Sequence, residues 1–264
     1  MASSRQADKL IFNPASLDFL ALCMEVFPDA DMSLAILPLD KVKSKDSSML
    51  STWLHYKEQI QFEGFSLEKR SREWLGGRIC AKQSARMFFQ SVRNQTFIPD
   101  YSQCRIQSDT NGRPSFRQVD GLDLNFPELS ISHSKSIAAA MSSMSCCGID
   151  IQFAAKTLER VQEKFCSAEE EQILKALLPD FSPIARLTLL WSAKEAVKKM
   201  LSPKGIPGFQ ELTLLQKNGL SNGVAIFSFV KAGSQSSIQT VNTMFSPDYA
   251  LAVCCKQSTK GTTH

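Results

Sequence analysis

The chain has 264 residues, 43% of them apolar and 21% charged, which supplies a core and excludes disordered and fibrous classes. Thirty basic against 26 acidic residues leave a formal charge of +4, a balance that favours an anionic partner and falls well short of a nucleic-acid-binding surface. Eight cysteines without any C-x-x-C spacing, beside only three histidines, make no zinc pattern and read as reduced buried thiols.

Met1 to Lys9 carry charge where a signal peptide needs its apolar region, and no run approaches the ~20 apolar residues of a membrane span, so a cytoplasmic protein is expected. Residues 32–39 read as a strand. A largely helical region follows from Ser48 through Trp53, Trp74, Ile79 and Phe88, interrupted by Gly64, Gly76 and Gly77. Cys104 to Gln107, a turn at Asp109-Thr110-Asn111-Gly112, and Arg113 to Phe116 predict a hairpin, with a polar loop over 120–128. Ile131, Ile137 to Met141 and Gly148 to Gln152 supply short strands. Residues 156–165 and 167–178 read as two amphipathic helices, and Ser167 with Glu170 has the spacing of a capping box, which assigns that pair to helix initiation. The helix of 189–201 buries Leu189, Ala193, Ala196, Val197 and Met200, and turns Trp191, Glu195 and Lys199 to another face. Segments 211–216, 223–231 and 249–254 complete a second small sheet.

Trp74, Arg78 and Lys82 recur at helical spacing, as Trp191, Glu195 and Lys199 do later. Each helix precedes a hairpin, so a duplicated pair of α/β halves with a ligand at their junction is expected.

The chemistry concentrates on two of these elements. On the strand Gly148-Ile149-Asp150-Ile151-Gln152, Asp150 and Gln152 share one face. On the helix, Glu195 and Lys199 are neighbours one turn apart, flanked by Lys194 and Lys198. Taken alone, the helical set reads as a solvated surface ion pair. Two carboxylates on different elements with lysines nearby suit Mg²⁺, which takes oxygen ligands and is commonly completed by substrate phosphates. Arg78, Arg113 and His133 are each ordinary in isolation; as a set they are the donors a multiply phosphorylated nucleotide needs.

The motifs Gly112-Arg113-Pro114, Ser132-His133-Ser134, Gly148 to Gln152 and Trp191 to Lys199, in this order, resemble those of 4′-phosphopantetheinyl transferases of the pseudo-dimeric, surfactin-synthetase-activating type; the likeness runs from about Phe62 to Gly208. The resemblance implies an α/β (α+β) fold of two similar halves related by pseudo-two-fold symmetry, 1–147 and 148–264. Coenzyme A and Mg²⁺ would lie in the cleft between them. It further implies that Asp150, Glu195 and Gln152 hold the metal, and that Arg113, Ser132 and His133 hold the adenosine 3′-phosphate end with help from Arg78. Lys199 would lie against the phosphates, and Glu195 would accept the proton of the attacking serine. The implied reaction transfers phosphopantetheine to a serine of an apo acyl or peptidyl carrier protein and releases adenosine 3′,5′-bisphosphate. No nucleic acid or membrane takes part, and a chain already holding both halves is expected to act as a monomer. Gln152 stands where many members have glutamate, which lowers the negative charge of the site. The alternative is a non-catalytic homologue that binds coenzyme A or a carrier protein.

Overall fold

The computed structural model describes residues 31–93, 99–117, 125–215, 219–221, 223–233, 238–246 and 248–256; Met1 to Lys9, Cys23 and most of the expected polar loop lie outside them. The first half begins with β1 (Met32–Pro38), followed by α1 (Ser47–Trp53), α2 (Tyr56–Glu63) and the long α3 (Glu68–Ser91). A hairpin of β2 (Arg105–Ser108) and β3 (Pro114–Arg117) comes next, then β4 (Glu128–Ser134) and β5 (Ile137–Ser143). The second half runs β6 (Cys147–Phe153), α4 (Thr157–Arg160), α5 (Ala168–Leu177), α6 (Pro183–Leu201), β7 (Leu212–Leu214), β8 (Gly219–Ser221), β9 (Val224–Lys231), β10 (Ile238–Ser246) and β11 (Tyr249–Cys255). The fold is mixed α/β, and among the described residues no helix is long and apolar enough to cross a membrane.

The strands make an antiparallel sheet β1-β5-β4, a sheet β6-β11-β10-β9-β7 with β8 beside β9, and the separate hairpin β2-β3. Helix α3 covers one face of the first sheet through Leu75, Ile79, Ala138 and Ala140. Helix α6 covers one face of the second through Leu189, Ala193, Ala196, Phe227 and Ala252. The remaining faces pack on each other: Leu34, Ile36 and Met141 meet Ile149, Ile151 and Val253, giving a helix–sheet–sheet–helix sandwich. The ends of the described chain meet the junction between the halves, for the Met144 amide donates to Asp31 O and the Lys256 amide to Cys146 O.

The halves repeat in detail. Strand pair Leu129↔Ser142 recurs 112 residues later as Val241↔Cys254. Lys82 on α3 is buried, and its Nζ donates to Glu58 Oε2 (2.5 Å), Trp53 O (2.7 Å) and Tyr101 O (3.0 Å). Lys194 on α6, again 112 residues on, donates to Glu170 Oε2 (2.9 Å), Phe165 O (2.7 Å) and Phe209 O (3.3 Å). Glu58 and Glu170 each also cap their own helix and accept an amide from the next strand, Ile106 N at 3.1 Å and Leu214 N at 2.8 Å. In both halves burial lowers the lysine's pKa, and the carboxylate partner opposes this.

The sequence echo of Trp74, Arg78 and Lys82 with Trp191, Glu195 and Lys199 is therefore five residues out of register, because Lys82 corresponds to Lys194 and not to Lys199. The expected helix of 156–165 is only the short α4 and a 3₁₀ turn at Gln162–Lys164. The second sheet is also the larger one: β10, unanticipated because its polar residues mask a strand, lies between β9 and β11 with Asn242 and Thr243 buried.

Candidate active site

Strands β4 and β6 run side by side at the junction of the halves, and no backbone hydrogen bond joins them among the described residues. Three serine hydroxyls on one face of β4 take the place of carbonyls. Ser130 Oγ accepts from Ile149 N (3.0 Å), Ser132 Oγ from Ile151 N (3.2 Å) and Ser134 Oγ from Phe153 N (3.0 Å). Period-two alternation makes this ladder possible, since residues 130, 132 and 134 point the same way. Ser132 does a second thing: its hydroxyl donates to Asp150 Oδ1 at 2.8 Å.

Asp150 sits behind this seam with 6% of its surface exposed. Lys199 Nζ reaches it from α6, donating to Asp150 Oδ1 at 2.8 Å and to Ile149 O at 2.9 Å. Burial raises the Asp150 pKa, the Lys199 ammonium and the Ser132 hydrogen bond oppose that, and the charge of Glu195 adds to it. Asp150 Oδ2 is buried and has no hydrogen-bond partner among the described residues. Helix α6 comes this close because Gly148 has no side chain; a Cβ there would lie 1.9 Å from Ala196 O.

Glu195 stands one turn before Lys199, beside a cavity of about 330 Å³ that Arg113, Ser130, Lys198 and Lys199 also line. Its Oε1 accepts from Lys198 Nζ at 2.6 Å. Gln152, half-buried on the Asp150 face of β6, donates its amide to Phe153 O at 3.2 Å. Among the described residues no cluster of three or more His, Cys, Asp or Glu side chains is arranged for a metal. An unpartnered, buried oxygen on Asp150 and a second carboxylate near enough to perturb it do fit Mg²⁺, which needs one or two protein carboxylates when phosphates complete its shell.

The expected phosphate donors are divided. Arg78 and His133 line a second cavity of about 730 Å³ that shares Gly112, Pro114 and Ile131 with the first. Arg78 is buried, 3.3 Å from Glu58 and stacked 4.6 Å over the Trp74 ring; burial lowers its pKa, opposed by Glu58. His133 Nδ1 is 4.0 Å from Glu73 Oε2, and burial lowers its pKa against the pull of that carboxylate. Arg113 instead crosses from the β2-β3 hairpin to the end of α6, donating to Lys199 O (3.0 Å), Ser202 Oγ (3.1 Å) and Glu128 Oε2 (2.5 Å). Its target is the negative end of the helix. Ser132 and His133 are adjacent on a strand and face opposite ways, so Ser132 joins Asp150 and His133 joins Arg78.

The repeat separates scaffold from chemistry. Glu58 with Lys82 and Glu170 with Lys194 occur in both halves and hold helix to sheet. The counterparts of Asp150, Glu195 and Lys199 in the first half are Ala35, Gln83 and Met87, so the acidic site belongs to one repeat alone. Lys194, adjacent to Glu195 in sequence, is thereby structural. Sequence reasoning missed the Ser130 and Ser134 contribution, although the alternation of three serines was its visible signal.

Residues 146–254 match the family model of the 4′-phosphopantetheinyl transferase superfamily. Among solved structures, a holo-(acyl-carrier-protein) synthase from Bacillus anthracis str. Ames in complex with CoA (3′,5′-ADP) is similar at 23% identity. The match covers 42% of this chain and 92% of that one, with a TM-score of 0.35. Holo-ACP-synthase from Plasmodium yoelii is similar at 17% identity over 42% of this chain and 91% of that one, with a TM-score of 0.34. No curated protein sequence matches significantly.

Proposed function

We propose that the chain is a 4′-phosphopantetheinyl transferase of the surfactin-synthetase-activating type, moving phosphopantetheine from coenzyme A to a serine of an apo acyl or peptidyl carrier protein. The observation that carries this reading is Asp150: a buried carboxylate with one oxygen on Lys199 and Ser132 and the other unpartnered, beside Glu195. It lies within the segment that matches the superfamily model. We place the division of the halves at 147/148, after the first residue of β6.

Asp150 and Glu195 would hold Mg²⁺, with Gln152 as a neutral oxygen ligand or an orienter of its water. When bound, the ion supplies charge neutralisation at the pyrophosphate. Lys199, with its Nζ at the mouth of the site, stabilises charge developing on the phosphates. Glu195 faces the cavity and accepts the proton of the carrier serine as it attacks phosphorus. Arg78 and His133 offer donors to the adenosine 3′-phosphate in the larger cavity. Arg113 joins them by exchanging its helix-end carbonyl for phosphate, and Ser132 contributes indirectly by fixing Asp150.

The test is intact-mass spectrometry of an apo acyl carrier protein incubated with this chain, coenzyme A and Mg²⁺, beside an EDTA control and the variants Asp150→Ala and Glu195→Ala. A gain of one phosphopantetheine, absent with EDTA and nearly absent in both variants, is expected. Coenzyme A binding without any mass gain on acyl and peptidyl carriers would establish the non-catalytic alternative, which the neutral Gln152 favours.

A further inference from the structure

The β2-β3 hairpin has two faces. Ser108 and Pro114 line the cavity of Arg78 and His133. Arg105, Gln107 and Arg117, on the opposite face by strand alternation, line a different cavity of about 780 Å³, whose far wall is the start of α2 with His55, Tyr56 and Lys57. Among the described residues no carboxylate lines it.

Arg105 and Arg117 are direct cross-strand partners. Like charges facing each other across an antiparallel pair destabilise it. Among the described residues neither arginine, nor Lys57, forms an ion pair. Arg117 Nε donates to the neutral Gln107 Oε1 at 2.9 Å. His55 on the same wall has its pKa lowered by burial; Glu58 opposes this, and Arg105 and Lys57 are among the cations that add to it. The repeated scaffold does not require these cations, because the corresponding positions of the second half are Glu169, Thr213 and Val230 for Lys57, Arg105 and Arg117.

We propose that this cavity is a second anion site, separate from the Asp150 cleft, which takes a phosphate-bearing small molecule. The Arg105 and Arg117 forks grip the phosphate and Lys57 closes on it from α2. Tyr56, 60% exposed, offers a flat apolar face to the rest of the ligand. The volume falls in the range of small-molecule sites, about 300–1,000 Å³.

Calorimetric titration of the whole chain with inorganic pyrophosphate tests this without reference to phosphopantetheine transfer. Wild type is compared with Arg105→Gln/Arg117→Gln and, on the other wall, Lys57→Gln. The double variant is expected to lose one binding equivalent or to weaken it at least about tenfold, and Lys57→Gln to weaken it without touching the hairpin. The ligand-free double variant should melt no lower than wild type, since a repulsion is removed. Failure of wild type to bind pyrophosphate, unchanged binding in the double variant, or a lower melting temperature of that variant without ligand would each overturn the proposal.

Discussion

Replacing Ser132 with alanine removes two hydrogen bonds of different consequence. The Ile151 amide loses its acceptor on the seam, and Asp150 Oδ1 loses a donor at 2.8 Å. A buried donor left unsatisfied costs about 1–3 kcal/mol. At about 2–4 °C per kcal/mol for a domain of some 150–250 residues, the thermal midpoint should fall by a few degrees. Ser130→Ala provides the comparison, because Ser130 accepts from Ile149 N at 3.0 Å, whereas the hydroxyl that reaches Asp150 is that of Ser132. Both variants should lose similar stability. They should differ in titration: the Ser132 hydroxyl holds the Asp150 pKa down against burial, so its loss moves that pKa further up, whereas Ser130→Ala leaves it in place. Carbon-13 NMR of the aspartate carboxyls in metal-free protein reads this directly, with urea unfolding for stability. An Asp150 titration that moves down, or moves equally in both variants, would refute the assignment of Ser132 as the residue that positions this carboxylate.

Three further outcomes are expected. Lys194→Met strands the buried Glu170 and should cost about 3–5 kcal/mol in urea denaturation, whereas Lys82→Met leaves Glu58 with Arg78 at 3.3 Å and should cost less; a larger loss at Lys82 than at Lys194 would show that Arg78 does not support Glu58. Gly148→Ala inserts a methyl into the backbone of α6 and should cost at least about 1–3 kcal/mol while displacing Lys199 from Asp150; full transferase activity with an unchanged melting temperature would contradict the close packing. Gln152→Glu adds a carboxylate beside Asp150 and should lower the Mg²⁺ concentration giving half-maximal transfer, measured by magnesium titration of the mass assay, and a higher requirement would count against a ligand role.

Much of the architecture was legible because apolar periodicity and turn chemistry agreed locally. This holds for β1, the Asp109 to Gly112 turn, β4 to β6, and α6 with its buried Leu189, Ala193 and Val197. What stayed hidden depends on long-range partners. Strand β10 carries Asn242 and Thr243 at buried positions, so it lacks an apolar signature. Lys194 read as part of a solvated helix because a lysine's burial is decided by a carboxylate 24 residues away. Within the site, Asp150, Glu195 and Lys199 stood out as residue types, but their geometry did not. The division of Ser132 from His133 follows from strand alternation, and the diversion of Arg113 to a helix end could only come from the packing of the two halves.

The meeting of residues 31 and 256 with residues 144 and 146 makes the order of the halves a matter of linkage and not of packing. Two segments of one chain brought together at an internal junction can be joined there and the chain opened elsewhere. Joining 256 to 31 through a short spacer and opening the chain between 144 and 145 would yield a circular permutant with the acidic repeat first. Every strand pairing, the serine ladder and both lysine networks would be kept, because none of them uses the 144–145 peptide bond. The single covalent crossing between repeats thus serves mainly to raise the effective concentration of one half near the other, and the site at the seam belongs to the interface whichever half is made first.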